Sequence, residues 1–179
     1  MGIDAPVMNL HQRLAGTNIN TQTFLATDYL NHFNEIEMLI EMLPTMPECF
    51  EDICMWQPKS YECHFSDSGF RDKELAILAY RQAPELVRKR FDEVITNLDR
   101  CIIDAIETLK ETLEMGMTEQ LGVLSTKLST ELRQHIDQAS AIINGHNVTV
   151  LTSDLPSGKS NIRDSVETTQ AAVEALFGD

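Results

Sequence analysis

ELVRKRFDEVITNLDRCIIDAIETLKETLEMGMTEQLGVLSTKLSTELRQHIDQASAIING, residues Glu85 to Gly145, carries two apolar stripes that meet at Gly116. In the first, Val87, Phe91, Val94, Leu98, Cys101, Ala105, Leu109 and Leu113 recur in steps of three and four, the spacing that puts side chains on one helix face. The second runs Leu121, Leu124, Leu128, Leu132, His135, Ala139 and Ile142 before closing at Gly145. Two helices of about thirty residues, each on the order of 40 Å long and joined by a tight glycine turn, must lie antiparallel. The stretch predicts a long helical hairpin.

Upstream, FLATDYLNHFNEIEMLIEML places Leu25, Tyr29, Phe33, Ile36, Ile40 and Leu43 on a single helical stripe that stops before Pro44. This helix and the hairpin predict an all-α three- or four-helix bundle over residues 23–145. From Pro44 to Gly69 the chain holds three prolines and its single tryptophan, which predicts an ordered crossing with one short helix around Glu48 to Trp56 and Trp56 packed inward. A short helix is expected over Arg71 to Arg81, and Pro84 suits the first turn of the next. Residues 1–22 are polar and unpatterned and read as a disordered arm. Residues 146–160, rich in Asn, Ser, Thr, Gly and Pro, read as a flexible linker. Beyond it, residues 161–179 regain helical period through Ile162, Val166, Ala172, Val173, Leu176 and Phe177, as expected of an amphipathic partner-binding helix.

The 179 residues include 14 Lys and Arg against 28 Asp and Glu, a net charge of −14 that repels nucleic acid and anionic membranes and favours a basic protein partner. No apolar run approaches the roughly 20 residues that span a bilayer, and the start lacks the basic and apolar regions of a signal peptide, so a cytoplasmic protein is expected. The cysteines, Cys49, Cys54, Cys63 and Cys101, include no CxxC pair, and their spacing with His64 matches no zinc pattern, so reduced and inert thiols are expected. No P-loop, nucleophile elbow or dinucleotide fingerprint is present.

The run Thr169-Gln170-Ala171-Ala172-Val173-Glu174-Ala175-Leu176-Phe177-Gly178 resembles the segment of the flagellar switch protein FliM that binds the phosphorylated chemotaxis regulator CheY. It is also similar to the C-terminal peptide of the CheZ-type chemotaxis phosphatases, whose plan of helical hairpin, linker and terminal helix this chain resembles. The resemblance implies that Gln170, Val173, Glu174, Leu176 and Phe177 engage a CheY-like receiver domain. It implies further that the bundle places an amide beside the aspartyl phosphate of that receiver, with magnesium supplied by the receiver and no cofactor of the chain's own. It leaves room for a homodimer of hairpins. The Asp-Leu-Thr-Gly-Gln type motif of CheZ proteins has no counterpart between Thr118 and Gly145.

What the chemistry requires is an amide to orient a water and an acid about one helical turn away. Asp28 with Asn31 supplies both, and an acid followed by Asn at the third position resembles the Glu-x-x-Asn element of the CheC and CheX phosphatases. At 100° per residue Asp28, His32 and Glu35 share a flank of the first helix, with Asn31 just beyond. Glu93 with Asn97, spaced i,i+4 on the long helix, is the second choice. Two other readings use the same residues differently. Asp28, His32 and Glu35 with Glu131 and His135 would make a carboxylate and histidine di-metal bundle. A non-catalytic adaptor for a receiver domain would need only the terminal helix.

Overall fold

A computed structural model describes residues 9–146. The expectations for the linker beyond His146, for the helix over 161–179 and for residues 1–8 lie outside the described residues. Within them the fold is all-α: α1 (Leu10–Leu14), a 3-10 turn (Thr27–Leu30), α2 (Asn31–Met42), α3 (Cys49–Met55), α4 (Tyr61–Asp67), α5 (Lys73–Arg81), α6 (Glu85–Glu114) and α7 (Thr118–Ile143). No strand forms among the described residues, only an isolated antiparallel bridge between Ile19 and Ala26.

α6 and α7, 30 and 26 residues long, make the antiparallel hairpin. Gly116 turns the chain at φ 68°, a left-handed conformation that costs a glycine nothing. α2 packs along α7 as the third long element, and α3 folds back on α2. Glu37 and Glu41 of α2 both receive the guanidinium of Arg133 from α7, and the first of them is almost fully buried. That packing rotates the hairpin's core face. In α7, Ser125, Ser129 and Ile136 turn inward, whereas Leu124 and His135, expected in the stripe, are only partly buried. In α6, Ile95 and Ile102 take the core positions expected of Val94 and Cys101. Steps of three or four suit either neighbour, and the side on which α2 lands decides between them.

Residues 9–22 are not an unpatterned arm. Asn9 caps α1, and Leu14 and Ile19 are 1% and 2% exposed. The side chain of Asn20 then accepts from the backbone N–H groups of Gln22 and Thr23, which carries the chain through Phe24 at φ 62°. The buried Thr23 hydroxyl donates to Ile143 O at 2.6 Å, satisfying a carbonyl in the last turn of α7. A five-residue helix and two apolar anchors are too short to show a period. The helix expected from Phe24 starts later for the same local reason, since the positive φ of Phe24 breaks any regular helix there.

The rotated core is testable. Ile102→Ala removes a side chain that is fully buried and should cost about 2–5 kcal/mol by urea denaturation, whereas Cys101→Ala should cost under about 1.5 kcal/mol.

Candidate functional site

A 3-10 turn has three residues per revolution, so side chains at i and i+3 eclipse, where in an α-helix they stand about 60° apart. Thr27–Leu30 is such a turn, and the backbone N–H of Asn31 closes it onto Asp28 O and Tyr29 O. The acid and the amide therefore lie on one edge. They line a single open cleft of about 410 Å3, together with Asn18, Thr27, Leu30 and Asn34 on their own side and Ile136, Asp137 and Ser140 of α7 opposite. Asn31 and Asn34 are exposed, and no hydrogen bond among the described residues engages either side-chain amide. The turn itself is held from below: Tyr29 and Leu30 are buried, and Ala26 N–H donates to the phenol oxygen of Tyr61 at 2.8 Å.

His32 and Glu35 do not join this pair. They line a second cleft, of about 520 Å3, with Asp52, Met55, Trp56, Gln57 and Lys59. The His32 ring stacks on Trp56 with centroids 5.1 Å apart, and its Nε2 lies 3.0 Å from Gln57 O. A wheel of 100° per residue put Asp28, His32 and Glu35 on one flank, but the chain is 3-10 through Leu30 and α-helical only from Asn31. The change of phase separates them. Trp56 is partly buried, as expected of an inward-facing indole, and donates Nε1–H to His32 O at 3.3 Å.

Glu93 and Asn97 line a shallow depression of about 580 Å3 made by α6 alone, among Glu85, Arg88, Lys89, Asp92 and Thr96. Among the described residues no second element stands opposite to confine a partner there. Glu131 pairs with Lys127 on the outer side of α7, and His135 stays partly exposed because Ile136 occupies the core position. Among the described residues no three His, Cys, Asp or Glu side chains converge as a ligand set, so the di-metal arrangement is not assembled.

Two features were not read from the sequence. His64 of α4 stands edge-on to Tyr29 at 5.3 Å and 6.2 Å from the His32 ring. Asp99 of α6 has a buried Oδ1 without a hydrogen-bond partner among the described residues, and burial pushes its pKa up to about 6. Asp99 lies off the stripe of α6, and His64 lies on α4, a second helix in the crossing where only one, around Glu48 to Trp56, is expected; tertiary packing brings both beside the turn.

Compared with known proteins, the chain matches no family model, no curated protein and no solved structure. The site rests on its geometry. No helix among the described residues is long and apolar enough to cross a membrane.

Asp99 yields a pH-dependent expectation. Its folded-state pKa exceeds the roughly 3.9 of an unfolded aspartate, so the folded state binds more protons between these values. The group favours folding at low pH and opposes it above about 6. Asp99→Asn should therefore raise the urea midpoint at pH 7.5 and change it little near pH 4.5.

Proposed function

We propose that the protein binds a phosphorylated CheY-like receiver domain through residues 161–179 and accelerates loss of its aspartyl phosphate, with Asp28 and Asn31 as the acting pair. The eclipsed acid and amide at the mouth of an open cleft carry this reading, because an amide with no hydrogen-bond partner among the described residues is available to a substrate water. The receiver supplies phosphoaspartate and magnesium. The side chain of Asn31 would hold a water in line with the phosphorus, and Asp28 would fix the amide's direction. As water oxygen bonds to phosphorus, the bond from phosphorus to the aspartyl oxygen breaks, releasing phosphate and restoring the carboxylate. The net charge of −14 supports a basic face on the partner.

The geometry favours Asp28 and Asn31 over Glu93 and Asn97, since three elements enclose the first pair and one helix carries the second. The adaptor reading shares the terminal helix and differs in predicting an unaltered phosphate lifetime.

Removal of a contact made only in the transition state lowers rate without affinity. Asn31→Ala should slow stimulated dephosphorylation by roughly 10- to 1000-fold with receiver affinity little changed, and Glu93→Ala and Asn97→Ala should be near neutral. Equal loss in Asn97→Ala would move the site to α6. For binding, changing Leu176 and Phe177 together to Ala should cost about 2–4 kcal/mol in a titration calorimeter while the urea midpoint of the bundle stays unchanged.

A further inference from the structure

Trp56 to Lys59 link α3 to α4 as a strap, and three hydrogen bonds tie that strap to the chain around Asn31. Tyr29 Oη donates to Lys59 O at 2.6 Å, His32 Nε2 lies 3.0 Å from Gln57 O, and Trp56 Nε1 donates to His32 O at 3.3 Å. Tyr29 and His32 bracket the Leu30 to Asn31 step at which the 3-10 turn becomes α2. The strap therefore sets the direction in which α2 leaves the turn, and with it the alignment of Asn31 over Asp28. Two imidazoles sit at this junction. His32 stacks on the indole of Trp56 at an interplanar angle of 20°, and His64 stands 6.2 Å from it, perpendicular to Tyr29.

We infer that the strap and its two imidazoles form a proton-operated clamp on the Asp28 and Asn31 pair, with His32 and His64 as positioning residues: charging both rings releases residues 56–59 and turns Asn31 out of line with Asp28. The significance of that movement rests on the proposed site, but the movement itself does not.

Every neighbouring element contributes charge. His32 is faced by Glu35 of α2, Lys59 of the strap and His64 of α4, and Asp52 of α3 lines the same cleft. His64 is faced by Asp28 of the turn, Lys59 and Asp67 of its own helix, while Asp99 of α6 acts on Tyr29 beside it. Burial is the largest influence on both rings and lowers both pKa values. The hydrogen bonds of the rings to the backbone of Gln57 and of Asp28 act against burial, as do the carboxylates, while Lys59 and, at His32, the neighbouring His64 ring act with it. The Trp56 face attracts a single charged ring at His32. It is the second proton, which puts like charges 6.2 Å apart beside Lys59, that opens the strap. Because the folded-state values are lowered, the clamp is fully closed above the ordinary histidine value of about 6.5 and is lost as the pH falls through the lowered ones.

Trp56 is the single tryptophan of the chain and stacks on His32, so its emission reports the charge on that ring, while the Asn31 amide reports the strap's effect on the pair. The test is a titration of the full chain from pH 8 to pH 4.5, following Trp56 fluorescence, the amide shifts of Asp28 and Asn31, and helical circular dichroism. The clamp predicts an emission change with a midpoint below about 6.5, shifts at Asn31 with the same midpoint, and constant helicity. In His64→Gln, which cannot charge, the shift at Asn31 should be lost. His32→Gln should lose the emission change as well. An Asn31 amide that does not move with Trp56, one that moves equally in His64→Gln, or helicity lost at the same midpoint would overturn the clamp. Absence of stimulated dephosphorylation would instead remove the functional reading and leave these shifts as they are.

Discussion

The ring of Tyr29 is the point through which the separate parts of this protein hold one another. It is 1% exposed and meets Phe33 of α2, Tyr61 and His64 of α4 and Phe91 of α6, with centroids 5.1 to 5.8 Å apart. Its hydroxyl, held protonated by burial, reaches the strap at Lys59 O. Each aromatic pair of this kind contributes about 0.5–1.5 kcal/mol beyond its burial, and the hydrogen bond about 1 kcal/mol more. Exposed ion pairs such as that of Arg81 with Glu62 are screened by solvent and contribute little. The aromatic cluster, not the surface charge, therefore joins the short helices to the hairpin.

That anchoring has a geometric result. With Tyr29 and Leu30 turned inward and Ala26 bound to Tyr61, the four residues Thr27–Leu30 that lead into α2 are held as a tight 3-10 turn. The turn aligns Asp28 with Asn31, and α7 provides the opposite wall through Asp137 and Ser140. His32 and Glu35 fall on the other side of α2, where they engage the strap. Two neighbouring clefts thus divide four polar residues between a solvent-facing role and a supporting one.

The hairpin was legible in the sequence because steps of three and four persist through α6 and α7, and no strand can imitate that period. Its exact facing was not, since Ile95 beside Val94, or Ile136 beside His135, satisfies the same pattern until α2 chooses a side. The first long helix was legible from Asn31 onward, but a single 3-10 turn leaves no trace in apolar spacing. For this reason Asp28 and Asn31 could be named as a pair while His32 and Glu35 were wrongly placed beside them. The packing of Leu14, Ile19 and Thr23 and the position of His64 depend on contacts between residues distant in sequence.

The proposed function assigns recruitment of the receiver to residues 161–179 and the chemistry to Asp28 and Asn31, more than a hundred residues earlier in the chain, so both would have to meet the same partner. The most direct measurement is an amide-shift map of the labelled protein mixed with a receiver domain activated by beryllofluoride. Perturbation in two separate groups is predicted, one over residues 161–179 and one around Asn31, Asn34 and Ser140. Shifts confined to the terminal segment, or centred on Glu93 and Asn97, would contradict it.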